Sequence, residues 1–191
     1  SAASDVYKRQ AVLTVDGAYK AADFINFCDA YDIPVLSLTN VKGFAADVRS
    51  EKSIAKAVAK LTYAFANANV PKVNVITGEA YGSAYVTMNS KALGADVTYA
   101  WPDASIGMMD ANEAAKIMYA DDIAKSADVQ SVISEKAAEY AALQSGVESA
   151  AARGYVDTII NPEDTRKYVA AAFEMLYTKR EDRPDKKHGT V

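Results

Sequence analysis

The 191-residue chain carries one cysteine (Cys28), one histidine (His188) and one tryptophan (Trp101). A lone cysteine excludes a disulfide framework and a multi-cysteine zinc site. A lone histidine in a charged tail leaves no partner set for Ser-His-Asp chemistry or a histidine-built metal centre, so no metal is expected. Positive charge is also in short supply: 21 Lys+Arg against 25 Asp+Glu give a net charge of −4 and a pI near 5.1. That balance excludes nucleic acid as the partner, because phosphates require a concentrated basic face. No stretch of 18 apolar residues occurs, which excludes a membrane-spanning helix. What is present is ordinary: 50% hydrophobic and 24% charged residues, the mixture of a globular protein with a core of its own. Its length predicts one domain. The expected compartment is reducing and cytoplasmic, and the chemistry must come from backbone groups, hydroxyls or carboxylates.

Ser1–Gln10 (SAASDVYKRQ) has no apolar segment and places its basic residues last, unlike a signal peptide. It reads as a sequence-assembly scar ahead of a domain at 11–191, with the natural chain continuing upstream. From Ala11 onward strand and helix signals alternate. Val12–Val15 reads as a strand stopped by an Asp16-Gly17 turn, and 21–31 as a helix with apolar positions 24, 25, 27, 28 and 31. Asp32-Ile33-Pro34 ends that helix before a strand at Val35–Leu38. A helix over Glu51–Asn69 is expected, capped by Ser50, then a strand at Lys72–Gly78 and a helix from Gly82 to about Ala92. Further strands are predicted at Val97–Trp101 and Ile106–Asp110, and a helix at Ala111–Tyr119. Asp121–Ser134, polar and aperiodic, reads as a surface loop, and Lys136–Arg153 as one long alanine-rich helix. A strand at Val156–Ile160 and a helix at Glu163–Arg180 close the series. Strands separated by helices of this length indicate repeated βα units and a single α/β domain.

Two stretches look chemical. In Thr39-Asn40-Val41-Lys42-Gly43-Phe44 a strand runs out into a glycine, which lets a ligand approach the backbone. The bland alternative is an ordinary turn. In Gly78-Glu79-Ala80-Tyr81-Gly82-Ser83-Ala84-Tyr85 a strand passes directly into small residues that begin a helix. The first amides of a helix have no partner within it and can stabilise a developing oxyanion, provided small side chains leave room. Close packing of helix on sheet selects the same residues. Other candidates are weaker. Cys28 lies on an apolar helix face and reads as core. Ser83 has no histidine to activate its hydroxyl, Asp121-Asp122 reads as a solvated pair, and Trp101-Pro102 as a strand terminus against the core.

At these two motifs the sequence resembles the carboxyl-terminal half of the carboxyltransferase subunit of biotin-dependent acyl-CoA carboxylases and decarboxylases. The stretches that carry the resemblance are ADFINFCDAYDIPVLSLTNVKGF, VPKVNVITGEAYGSAYVTMNSKALGADVTYAWPDASIGMM and RGYVDTIINPEDTRKYVAAAFEMLYTKREDRPDKKHGTV. The resemblance implies a crotonase-like spiral of ββα units with two roughly perpendicular sheets. It implies transfer of a carboxyl group between N1′ of carboxybiotin and the α-carbon of a short acyl-CoA, methylmalonyl-CoA or propionyl-CoA first. The backbone amides of Ser83 and Ala84 then match the oxyanion segment, and Gly43, Phe44, Tyr81 and Gly82 line the biotin pocket. Val86 stands where many carboxylases carry an acid that shapes acyl selection. Lys42 and Ser83 stand where relatives often have Pro and Gly.

The same resemblance implies partners. Biotin arrives on a separate carrier protein, since no Met-Lys-Met segment is present. The acyl-CoA side is held by an amino-terminal carboxyltransferase domain, in a homo-oligomer. The VKGF and KKHGTV stretches and the aliphatic Val86 lean toward the decarboxylase branch, which adds a membrane subunit. A stand-alone enoyl-CoA hydratase or isomerase is the alternative. It calls for a carboxylate on the helix after the oxyanion glycines, where this chain has Val86.

Overall fold

The computed structural model describes residues 11–126 and 128–181. Its strands are β1 (Val12–Leu13), β2 (Val35–Val41), β3 (Gly43–Phe44), β4 (Lys72–Tyr81), β5 (Val97–Ala100), β6 (Ser105–Gly107) and β7 (Thr158–Ile159). Its α-helices are α1 (Val15–Ala30), α2 (Val48–Asn67), α3 (Gly82–Val86), α4 (Ala111–Met118), α5 (Ala120–Lys125), α6 (Val129–Tyr140), α7 (Val147–Ala152) and α8 (Thr165–Met175). A five-stranded sheet runs β2-β4-β5-β7 with β6 added to the far end of β4, and β1 pairs with β3 in a second, two-stranded sheet. All these pairings are parallel. Parallel strands need a crossover between them, which the intervening helices supply.

The sheet is covered on both faces. β4 is buried through its first five residues, as a central parallel strand must be. On one side α1 and α2 pack through small residues, Ala18 and Ala22 against a row that includes Ala57, Leu61, Ala64 and Ala68. On the other side α8 places Val169 and Ala172 over Val73, Val75 and Tyr99. A third cluster joins Val41, Ile76, Ala80, Ala84 and Tyr85 to Val147, Ala150 and Val156 on and after α7.

Several expected boundaries move. Asp16-Gly17 is no turn, because Thr14 caps α1 by accepting the Gly17 N–H at 3.1 Å, so the chain turns helical at Val15. Asp47, not Ser50, caps α2: its carboxylate accepts the Ser50 amide at 2.8 Å and the Ser50 hydroxyl at 2.7 Å. The helix expected over Gly82–Ala92 is one turn of α-helix followed by a 3₁₀ turn at Lys91–Leu93 that Ser90 caps. The long alanine-rich helix is broken. α6 ends at Tyr140, a π-helical stretch fills Ala141–Ser145, and extended Gly146 separates it from α7. Asp121–Ser134 is not a loop but holds α5 and the start of α6, where Asp128 caps by accepting the Ser131 amide at 3.2 Å. The final helix, expected from Glu163, starts with a 3₁₀ turn at Pro162–Asp164. Cys28 and Trp101 fall as read: Cys28 is core, and Trp101 packs beside the cluster beneath α8 while its Nε1–H donates to Thr165 Oγ1 at 2.9 Å. His188 and most of the charged tail lie outside the described residues.

Candidate functional site

The two glycine motifs occupy the carboxyl ends of neighbouring parallel strands, β2 running into β3 and β4 running into α3. Ligands of open parallel sheets gather at that end. Ala84 and Tyr85 share a core cluster with Val41, and Phe44 packs against it. Residues forty positions apart in sequence therefore form one neighbourhood, which spacing alone could not establish.

At its centre β4 turns into α3 through Gly82, which sits at φ +58°. A side chain would be strained there, and its Cβ would lie 3.0 Å from the Met108 carbonyl oxygen. Tyr81 is the cap residue of α3 and offers no side-chain bond to the helix, so the first amides are left to whatever lies beyond. With only five residues α3 has little macrodipole; what it can offer is two fixed N–H groups, those of Ser83 and Ala84. Ser83 and Val86 are exposed, three residues apart on one face, while Ala84 and Tyr85 face inward. The Cβ position of Gly43 has open space around it. Gly82 is thus required by the backbone, whereas Gly43 is not required by lack of space.

The rim is polar. Lys42 Nζ pairs with Glu79 Oε1 at 3.0 Å, and this hydrogen-bonded carboxylate raises the Lys42 pKa above its ordinary value. Tyr81 donates to Ser105 Oγ at 2.8 Å, and Ser105 reaches the Ser145 carbonyl at 3.4 Å. Burial pushes the Tyr81 phenol upward, against the effect of the Ser105 bond. Gly107 is the register partner of Tyr81 and lies beneath the Ser145 side chain. Sequence reading missed Ser105 and the π-helical Ser145 as members of this neighbourhood, and it did not pair Glu79 of the second motif with Lys42 of the first. A serine in a short strand carries no signal of what a tyrosine 24 positions earlier will reach. Asp121 and Asp122 lie in the first turn of α5, and among the described residues no group of three His, Cys, Asp or Glu side chains could hold a metal.

Two depressions in the described surface lie elsewhere. One, of about 310 Å³, runs along Pro102–Ala104 and Gly146–Ser149; the other, of about 460 Å³, lies between Pro34 and the Phe173–Tyr177 side of α8. Neither includes a residue of the two motifs.

The sequence and fold of this chain are similar to those of known proteins. The chain is 43% identical over 178 residues to the methylmalonyl-CoA carboxyltransferase 12S subunit of Propionibacterium freudenreichii subsp. shermanii, a match covering 93% of this chain and 34% of that protein. It is 47% identical over 184 residues to the propionyl-CoA carboxylase beta chain of Saccharopolyspora erythraea, covering 94% of this chain and 34% of that one. A crystal structure of transcarboxylase 12S in its hexamer assembly superposes with a TM-score of 0.88 at 43% identity, over 93% of this chain and 34% of that chain. The fold is therefore the crotonase-like α/β fold of those structures. The chain spans about a third of the length of the relatives it matches. The carboxyl transferase domain family covers residues 6–191, and the chain belongs to that family.

Proposed function

We propose that this chain is the biotin-side portion of a carboxyltransferase, residues 11–191 forming its carboxyl-terminal domain. The reaction is transfer of a carboxyl group between N1′ of carboxybiotin and the α-carbon of a short acyl-CoA, with methylmalonyl-CoA and propionyl-CoA as the first substrates to test. One observation carries this reading: uncapped α3 begins at the carboxyl end of β4, beside the short strand Gly43–Phe44. Biotin supplies the transferable carboxyl group and arrives on a separate carrier protein. The Ser83 and Ala84 amides donate to the ureido oxygen as negative charge gathers there, while Gly43, Phe44, Tyr81 and Gly82 shape the approach. Val86, on the exposed face it shares with Ser83, meets the acyl group. No side-chain base is assigned, so the rate depends on donors already in place and on exclusion of water.

The acyl-CoA side belongs to an amino-terminal domain, and the assembly is a homo-oligomer in the cytoplasm. On the decarboxylase branch it docks a membrane subunit. Names among the relatives include both propionyl-CoA carboxylase and methylmalonyl-CoA decarboxylase subunits, so the direction of transfer follows the partner subunits.

The test uses the full-length subunit with methylmalonyl-CoA and free biotin. Loss of one oxyanion donor lowers turnover by about 10²–10³. Ser83→Pro removes an N–H at an exposed first-turn position, where proline is tolerated, and should lower kcat by that factor. Ser83→Ala keeps the N–H and should change kcat by less than about twofold, since a backbone donor is untouched. Ala84 is fully buried, which makes proline there a poorer probe. If Ser83→Ala abolishes turnover in a folded protein, the hydroxyl is the catalytic group and the backbone reading is wrong.

A further inference from the structure

The register between β2 and β4 breaks where the two motifs meet. Thr39 pairs with Ile76, but Val41 pairs with Ala80, so Asn40 alone stands opposite Thr77, Gly78 and Glu79. Residues taken into a bulge lose ladder bonds and bend the strand that carries them. Here β2 replaces those bonds one by one. The Thr77 hydroxyl donates to the Thr39 carbonyl at 3.4 Å, the Glu79 amide donates to Asn40 Oδ1 at 3.1 Å, and Lys42 pairs with the Glu79 carboxylate. Gly78 makes room, because a Cβ there would lie 2.9 Å from Asn40 Oδ1 and 3.1 Å from its Cγ. The bulge is also where β4 changes neighbours. Before it, Ile76 pairs with Ala100 of β5; after it, Glu79–Tyr81 pair with Ser105–Gly107 of β6. Three residues beyond Glu79, α3 begins.

We propose that Asn40 is a positioning residue: its carboxamide sets the β4 bulge and so the angle at which the Ser83 and Ala84 amides are presented. This rests on the functional reading above. A misplacement of about 1 Å at a reacting centre costs roughly 10²-fold in rate. Displacing the bulge should therefore act on turnover rather than on substrate capture.

The experiment compares Asn40→Ala, which removes the acceptor, with Asn40→Asp, which keeps an oxygen there, in the full-length subunit with methylmalonyl-CoA and free biotin. Asn40→Ala should lower kcat by about 10–10²-fold with KM for methylmalonyl-CoA within about twofold of the parent, and Asn40→Asp should recover kcat to within about threefold. Gly78→Ala, which pushes the same carboxamide aside, should copy the kcat loss and serves if Asn40→Ala does not fold. An unchanged kcat in Asn40→Ala, or an equal loss in Asn40→Asp, overturns the proposal. If the unmutated subunit transfers no carboxyl group, the functional reading fails instead. The bulge is then read by amide exchange over 79–84, which must accelerate about tenfold in Asn40→Ala and not in Asn40→Asp.

Discussion

Tyr85 follows the site and faces away from it, and it illustrates how one side chain links burial to pH. Its hydroxyl has no hydrogen-bond partner among the described residues, and burial pushes its pKa up to about 12. A buried hydroxyl without a partner is a cost that phenylalanine removes. Tyr85→Phe should therefore leave stability at pH 7 unchanged or raise it by about 1 kcal/mol in a denaturant titration. The sign of the pH effect follows from linkage. The unfolded phenol ionises near pH 10 and the folded one near 12, so the unfolded state releases its proton first. Stability is fully present below pH 10 and falls as pH rises toward 12, by about 2–3 kcal/mol from this group. Tyr85→Phe should flatten that decline; a slope unchanged by the substitution would assign it to other groups, such as Tyr99, whose pKa burial also raises. Val86 calls for a separate test. An acid in its place should change the ratio of kcat/KM among acetyl-, propionyl- and butyryl-CoA in the full-length subunit, with little change in free-biotin KM. Equal ratios before and after Val86→Asp would show that this face does not meet the acyl group.

At the scale of elements, strands and most helices were legible because their apolar spacing is regular: Val73 and Val75, alternate residues of β4, both lie in the core beneath α8. β2 departs from that rule, burying Ser37 and Thr39 while Leu36 and Leu38 stand exposed. The junctions were not legible. Thr14 and Asp47 cap their helices through side-chain geometry that a turn-like dipeptide at Asp16-Gly17 obscures. The break after Tyr140 lies inside AALQSG, where good helix formers conceal a π-helical segment anchored by the Ser105–Gly146 bridge. For the candidate site, the glycine motifs were visible in the sequence. The bulge that joins them was not, because it depends on a register set by residues of two strands. Asp96 shows how much one junction can hold. Its carboxylate accepts the Lys72 amide at 2.7 Å and pairs with Lys179 at 2.9 Å, tying the start of β4 to the residues after α8. Both partners of that ion pair are largely buried, so Asp96→Ala takes the acceptor from the Lys72 amide and leaves Lys179 only the longer contacts to Glu181 and the Val70 carbonyl, each at 3.4 Å. The expected loss is about 3–5 kcal/mol in a denaturant titration. A loss below about 1 kcal/mol would mean that water replaces the carboxylate freely.

The described residues present apolar surface in several places. Phe24, Phe27 and Tyr31 form a stripe along the outer side of α1, and Leu36 and Leu38 stand exposed on edge strand β2. Leu143, Met175 and Tyr177 are exposed as well, Tyr177 beside Pro34 at the start of β2. Sequence periodicity had assigned Phe24, Phe27 and Tyr31 to one helix face with Ile25 and Cys28; in the fold the latter two are core and the aromatic three are not. A helix that is apolar on two sides buries one against its own domain and offers the other to a second body. Such surface suits the multi-part assembly proposed above.

The single tryptophan gives this architecture its own optical reporter. Trp101 is half-buried, and its indole N–H reaches across to Thr165 in the first turn of α8. Indole emission depends on solvent contact, so undocking of α8 from the sheet should shift it toward longer wavelength, before or together with loss of helical dichroism. With no other indole in residues 1–191, a label-free fluorescence trace of this domain follows one contact, the closure of α8 over β5.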